Sequence, residues 1–224
     1  MFSIIYSMLK DLIKSKNIQG GKFYDPQNEY KQMVLINKET YKEPNLRRNV
    51  KPYIYLTEFS NREVAVFIDK AFKVIVFCYR GTDFSNLYDV LADIQIAIPS
   101  FKLSPRYLNM KRHFKETMKN FEDWQVILSG HSLGGHIASV LIGYCDETEG
   151  KDDCRFIVLN RGSSPIEFYS KSPKDYKRRN HYHMKGDWLS KTFLKDTKTR
   201  HTVLNPVSQK NPHSMFNFTD EFEK

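Results

Sequence analysis

The sequence predicts an α/β fold, a central mixed and mostly parallel sheet flanked by helices, with antiparallel strands in its N-terminal half. Three short β-branched and aromatic runs, YIYLTEF (53–59), EVAVFID (63–69) and KVIVFCYR (73–80), follow one another across the brief connections SNR and KAF. That spacing reads as a meander of adjacent strands. From residue 105 onward helical and extended patterns alternate, which argues for parallel strands with helices covering the sheet. The 224 residues are 40% hydrophobic and 14% aromatic, enough to bury a sizeable core. No Pro/Gly/Ser-rich linker and no internal repeat divides the chain, so the expected organisation is one domain over residues 1–224.

The elements follow in order. In MFSIIYSMLKDLIKSKNIQG (1–20), Ile5, Met8, Leu9, Leu12 and Ile13 share one helical face, the pattern of an amphipathic helix. Lys10, Asp11 and Lys14 interrupt its apolar run. No basic stretch precedes it and no small-residue cleavage site follows, so it does not read as a signal peptide. It is also too short and charged to span a bilayer. Two readings stand: a helix lying on a lipid interface, and a helix packed on the domain, which is favoured. EYKQMVLINKETYK (29–42) reads as a second helix. After the three strands, residues 80–105 read as a loop with a short helix inside it. PRYLNMKRHFKETMKNFED (105–123) is a helix with Pro105 near its first turn. WQVILSG (124–130) is a strand, SLGGHIASVLIGYC (132–145) a helix and CRFIVLN (154–160) a strand. SSPIEFYSKSPKDYKRRN (163–180) is a basic, irregular connection, HYHMKGD (181–187) the final strand, and the tail from Pro212 is helical.

Lys and Arg number 35 against 26 Asp and Glu, a net charge of +9 with pI near 9.3. Such a surface favours anionic partners, although a lysine-rich soluble surface explains it as well. No RNA-recognition motif, zinc-finger spacing or Walker loop is present, so nucleic acid is not an expected partner. Cys78, Cys145 and Cys154 are too few and too irregular for a disulfide framework. Cys145 and Cys154 flank an acidic stretch and could approach each other, while Cys78 reads as a buried small hydrophobe. A reducing, cytoplasmic or intracellular setting fits all three, with membrane association left open. No His/Cys/Asp spacing suggests a metal ligand set, and no cofactor is implied.

The chemistry concentrates in ILSGHSLGGHIAS (127–139). Ser132 lies between Gly130 and Gly134 where an apolar strand turns into a helix. Gly-x-Ser-x-Gly in this context is a nucleophile elbow, a strained turn that lifts a serine hydroxyl over the carboxyl end of a sheet. The helix begins at the serine, so its first N–H groups, Leu133 foremost, can face a developing oxyanion. A nucleophilic serine needs a base and an acid to orient it, which in the α/β-hydrolase order follow as acid and then histidine. Most downstream acids sit in solvated charge runs. Asp187 instead follows HYHMKG at the expected end of a strand, with Gly186 allowing a turn. His181 and His183 share a strand face but precede Asp187, and His136 packs one turn into the nucleophile helix. His201 and His213 both follow the acid. The proline-bounded loop NPHSMFNF favours His213.

VIVFCYRGTD, SNLYDVLADI and WQVILSGHSLGGHIASVL, then a strand ending in GD and a late histidine, resemble the class 3 (fungal-type) lipases from about residue 53 to the C-terminus. The resemblance implies an α/β-hydrolase fold and carboxylic ester hydrolysis. It matches Ser132 to the nucleophile, Asp187 and His213 to acid and base, and Thr82 beside Leu133 to the oxyanion hole. Asp93 matches an acid usually taken as structural. The stretch after RGT often carries a lid in this family. Here Leu87, Val90, Leu91 and Ile94 give residues 85–98 an apolar face that suits either a lid or a buried helix. KRHFKETMKNF lacks the family's glycine, and RGSSPI replaces a Phe-Gly-x-Pro-like stretch, so ester hydrolase is a firmer expectation than lipase. The substrate expected is a lipid or other ester, with peripheral contact to anionic membrane favoured slightly by KDYKRR (174–179). Triacylglycerol lipase, phospholipase and small-ester esterase stay open. The rival of another class is a non-catalytic hydrolase-like scaffold that binds membranes or partners through its basic surface.

Overall fold

The structure, a computed structural model, describes residues 26–82, 104–148, 154–162, 179–187, 190, 199–207 and 211–219. The helix expected over 1–20, the candidate lid 85–98 with Asp93, and most of the basic connection 163–178 lie outside these residues. The chain divides into two compact units, Met1–Tyr30 and Lys31–Lys224. The second holds the sheet and the site.

Seven strands form one sheet in which each strand neighbours the next in sequence. They are β1 (Ile54–Tyr55), β2 (Val64–Asp69), β3 (Val74–Tyr79), β4 (Gln125–His131), β5 (Cys154–Leu159), β6 (Arg179–Met184) and β7 (Arg200–Leu204). The first two pairings are antiparallel and the remaining four parallel. The helices are α1 (Pro26–Thr40), α2 (Pro105–Met118), α3 (Leu133–Thr148) and α4 (Phe216–Thr219). None of the described helices is long and apolar enough to cross a membrane.

The core follows from the two-residue period of the strands. Val64, Val66 and Ile68 of β2 with Ile75, Phe77 and Tyr79 of β3 face α2 and α3. Ala65, Phe67, Val74, Val76 and Cys78 face the other way, toward Met33 and Ile36 of α1. Strands buried on both faces read as near-continuous apolar runs, as these do. Helix α2 buries Tyr107, Met110, Phe114 and Met118 along one stripe. Ser104 caps it, its hydroxyl accepting from the Tyr107 amide at 3.2 Å, with Pro105 at the first position. On the opposite face Asn37 of α1 donates to Ser129 Oγ of β4 at 2.9 Å.

Several boundaries differ from those expected. The first strand is two residues long, because the Ser60 hydroxyl takes the amide of Val66 at 2.9 Å and Thr57–Phe59 turns as a 3-10 helix. Helix α2 stops at Met118 rather than 123, and Phe121 and Trp124 fold under it with rings 5.1 Å apart, edge to face. HYHMKGD is not the last strand. β7 follows it, an edge strand with no buried residue, so no hydrophobic alternation announced it. Cys145 and Cys154 are free and buried rather than paired.

Candidate active site

The parallel strands deliver their carboxyl ends to one edge of the sheet, and the site grows there. β4 ends in Gly130 and His131, and α3 starts at Leu133, which leaves Ser132 alone to turn the chain. Its φ is +55°, a left-handed conformation that an L-residue adopts only when its surroundings enforce it. The enforcement is steric. A β-carbon on Gly130 would stand 2.3 Å from the carbonyl carbon of Gly134, so strand and helix meet here without side chains between them. The Ser132 amide donates to Leu159 O at 3.2 Å, and its carbonyl accepts from the amides of His136 and Gly162 at 3.1 and 3.2 Å.

β6 ends at Met184, and the turn through Lys185 and Gly186 (φ +91°) places Asp187 beside this elbow. The loop before α4 brings His213 over it. His213 Nε2 lies 2.8 Å from Ser132 Oγ, and His213 Nδ1 lies 3.0 Å from Asp187 Oδ2. The Ser190 hydroxyl donates to the same carboxylate oxygen at 2.5 Å. An ionised carboxylate only accepts, so Nδ1 carries the ring hydrogen and Nε2 is free to accept from the serine. Ser132, Asp187 and His213 are all buried, and in that low-dielectric setting these hydrogen bonds gain strength.

The structure thus brings together the serine, acid and histidine singled out from sequence. Leu133 is the first residue of α3, where backbone N–H groups lack helical partners. Thr82 is half-buried and follows Gly81, whose β-carbon position lies 3.4 Å from Ser132 Cβ. His136 packs, as expected, with Arg161 Nη2 3.3 Å from its Nδ1. His201, the alternative base, lies on β7 and faces His181, Nδ1 to Nδ1 at 3.3 Å. His181 Nε2 accepts the amide of Arg161 at 3.1 Å, so its ring is held neutral, and burial pushes its pKa well below the ordinary value. Among the described residues no His, Cys, Asp or Glu group is arranged to hold a metal.

Three contributors escaped the sequence reading. His131 Nε2 donates to the carbonyl of His213 at 2.8 Å, and Tyr41 OH meets His131 Nδ1 at 2.8 Å. Asn160, with φ +40°, donates to Pro212 O at 2.9 Å and accepts the Met184 amide at 2.8 Å. His131 and Asn160 each stand at the carboxyl end of a strand, and that position was the available signal. Nothing in the sequence marks Tyr41.

Residues 76–170 match the family model described as Lipase (class 3). The matched stretch carries most of β3, the elbow and β5, and it supports the enzyme class, carboxylic ester hydrolase. Solved lipases share the fold seen here. The Lip2 lipase of Yarrowia lipolytica is 17% identical with a TM-score of 0.54, over 80% of this chain and 79% of that one. A mutant form of MDLA from Penicillium cyclopium is 12% identical with a TM-score of 0.52, over 84% and 83%. A fungal lipase in complex with an inhibitor is 13% identical with a TM-score of 0.54, again over 84% and 83%. At these identities the likeness is one of fold. No curated protein sequence matches the chain.

Proposed function

We propose that the chain hydrolyses carboxylic esters of lipids through Ser132, His213 and Asp187 by way of an acyl-enzyme. The observation that carries this reading is the continuous run of hydrogen bonds from Ser132 Oγ through His213 to Asp187. As Oγ attacks the ester carbonyl, His213 Nε2 takes its proton, and Asp187 stabilises the imidazolium without taking a proton itself. The carbonyl oxygen becomes an oxyanion, to which the Leu133 amide and Thr82 would donate. His213 returns the proton to the leaving alcohol, the C–O bond breaks, and the acyl group stays on Ser132. Water then attacks the acyl-enzyme, giving its proton to His213, and as the acyl–Oγ bond breaks His213 passes that proton to Ser132 Oγ, releasing the acid and the free serine.

The net charge of +9 suits an anionic lipid surface, and adding anionic vesicles to the assay would read that directly. The deciding experiment is hydrolysis of p-nitrophenyl esters from short to long acyl chains, by wild type and Ser132→Ala, with fluorophosphonate labelling alongside. Activity and labelling lost together in the variant support the mechanism, and the chain-length profile separates esterase from lipase. Activity retained by Ser132→Ala would overturn it. No labelling and no turnover in wild type would return the reading to a binding scaffold.

A further inference from the structure

A base that must hold a serine and a carboxylate at once needs its own main chain held. His213 sits in the stretch 211–215, which carries no helix or strand of its own. Two successive carbonyls of that stretch are gripped from the sheet edge. Asn160 Nδ2 donates to Pro212 O at 2.9 Å, and His131 Nε2 donates to His213 O at 2.8 Å. The second grip comes from the residue immediately before the serine.

The partners fix the tautomer of His131. A carbonyl oxygen only accepts, so Nε2 carries the hydrogen, and the neutral ring accepts at Nδ1 from the Tyr41 hydroxyl at 2.8 Å. Its surroundings favour that neutral form. Burial foremost, and then the neighbouring His213, bring the His131 pKa down to about 3 against the opposing pull of the His213 carbonyl and Asp187. Tyr41 is itself wedged. Its hydroxyl occupies the space where a Gly81 β-carbon would stand, 2.4 Å away, and the Arg80 guanidinium lies 5.7 Å from the centre of its ring. The hydroxyl therefore touches the Arg80–Thr82 segment, the nucleophile turn and, through His131, the base.

We propose that His131, oriented by Tyr41, is a positioning residue that holds the main chain of His213 so that its imidazole reaches Ser132 and Asp187 together. The proposal rests on the triad reading above. A residue that only filled space would need the volume of the ring and not its two directed hydrogen bonds. Without His131 the buried His213 carbonyl would lose its partner, a cost the loop can escape only by moving.

The test measures kcat and KM on a p-nitrophenyl ester, together with Tm, for wild type, Tyr41→Phe, His131→Leu and His131→Gln, with Ser132→Ala as the blank. His131→Leu is expected to lower kcat roughly 10- to 100-fold, the cost of a misplaced group near the reacting atoms, with KM little changed. Tyr41→Phe lowers kcat less and in the same way. His131→Gln, whose amide can still donate to the His213 carbonyl, recovers a large part of the loss. Wild-type kcat in both His131→Leu and Tyr41→Phe would overturn the proposal. So would a His131→Gln variant as slow as His131→Leu, with kcat and Tm falling in parallel, which is the mark of packing alone. Should His131→Leu fail to fold, Tyr41→Phe decides: a lowered kcat at unchanged Tm and KM supports the relay, and an unchanged kcat refutes it. An inactive wild type would remove the triad reading and the relay together, whereas an active wild type with indifferent variants removes the relay alone.

Discussion

The carbonyl oxygen of Tyr79 stands 1.9 Å from the point where a β-carbon on Gly134 would project. Strand β3 and helix α3 therefore touch through bare backbone, two residues past the serine. Gly143, about two and a half turns further along the same helix, has nothing within 4 Å of its β-carbon position.

The two glycines should respond in opposite directions. Gly134→Ala forces β3 and α3 apart and should cost several kcal/mol, on the order of 4, with Tm down by about 10 °C or more. Gly143→Ala adds helix propensity without a clash and should stabilise by about 1 kcal/mol, raising Tm by roughly 2–4 °C. Thermal unfolding of both variants checks this. A Gly134→Ala protein as stable as wild type would mean that helix and strand are not in this contact.

Asp187 accepts from His213 and from Ser190. Asp187→Asn keeps the shape but offers His213 an amide and no charge, so the imidazole loses the partner that selects its tautomer. Turnover should fall about 10,000-fold while the folded state persists. Ser190→Ala removes only the hydroxyl that tethers the carboxylate and should cost far less. Steady-state kinetics on both variants tests the order, and equal losses would contradict it.

Stability should decline as pH falls below neutrality. His131, His181 and His183 are held below the ordinary histidine pKa of 6.5 by burial, His131 to about 3. The unfolded chain binds protons at these positions before the native one does, so acid favours unfolding. The loss begins near pH 6.5 and continues down toward each lowered native pKa. Within that window each such histidine costs up to about 1.4 kcal/mol per pH unit. Urea titrations at pH 7, 6 and 5 should show a falling midpoint, with a shallower slope in His181→Asn. A midpoint independent of pH would mean these rings already bind protons in the native state.

Native thiols should be silent. Cys78, Cys145 and Cys154 are free and buried, and burial pushes the Cys78 pKa up to about 12, which leaves almost no thiolate to react. Iodoacetamide followed by mass spectrometry should find no modification until denaturant is added. Rapid native labelling of Cys78 would show that the face of β3 turned toward α1 opens readily.

The legible parts of this molecule were those whose cause is local. Gly130, Ser132 and Gly134 encode the elbow in five consecutive residues. Asp187 was readable because Gly186 follows a strand, and His213 because Pro212 and the chain order confine it. β2 and β3 were readable because both faces of each are apolar. β7 was not, since an edge strand with exposed or half-buried side chains has no period to read. Tyr41 was invisible for a different reason. Its role depends on space left by Gly81, 40 residues away, and on His131, 90 residues away, and no local pattern records such a meeting.

The strand order also constrains how the protein assembles. Every strand pairs with its immediate predecessor in the chain, so the sheet can grow by simple addition at one edge, each step closing a loop of limited length. His213 breaks that progression, reaching back past β6 and β5 to the end of β4 and across 81 residues to Ser132. A chain folded through β7 would hold its serine and carboxylate in place yet lack a proton acceptor. Reactivity would then switch on in a single late step, when the last loop docks onto a finished scaffold.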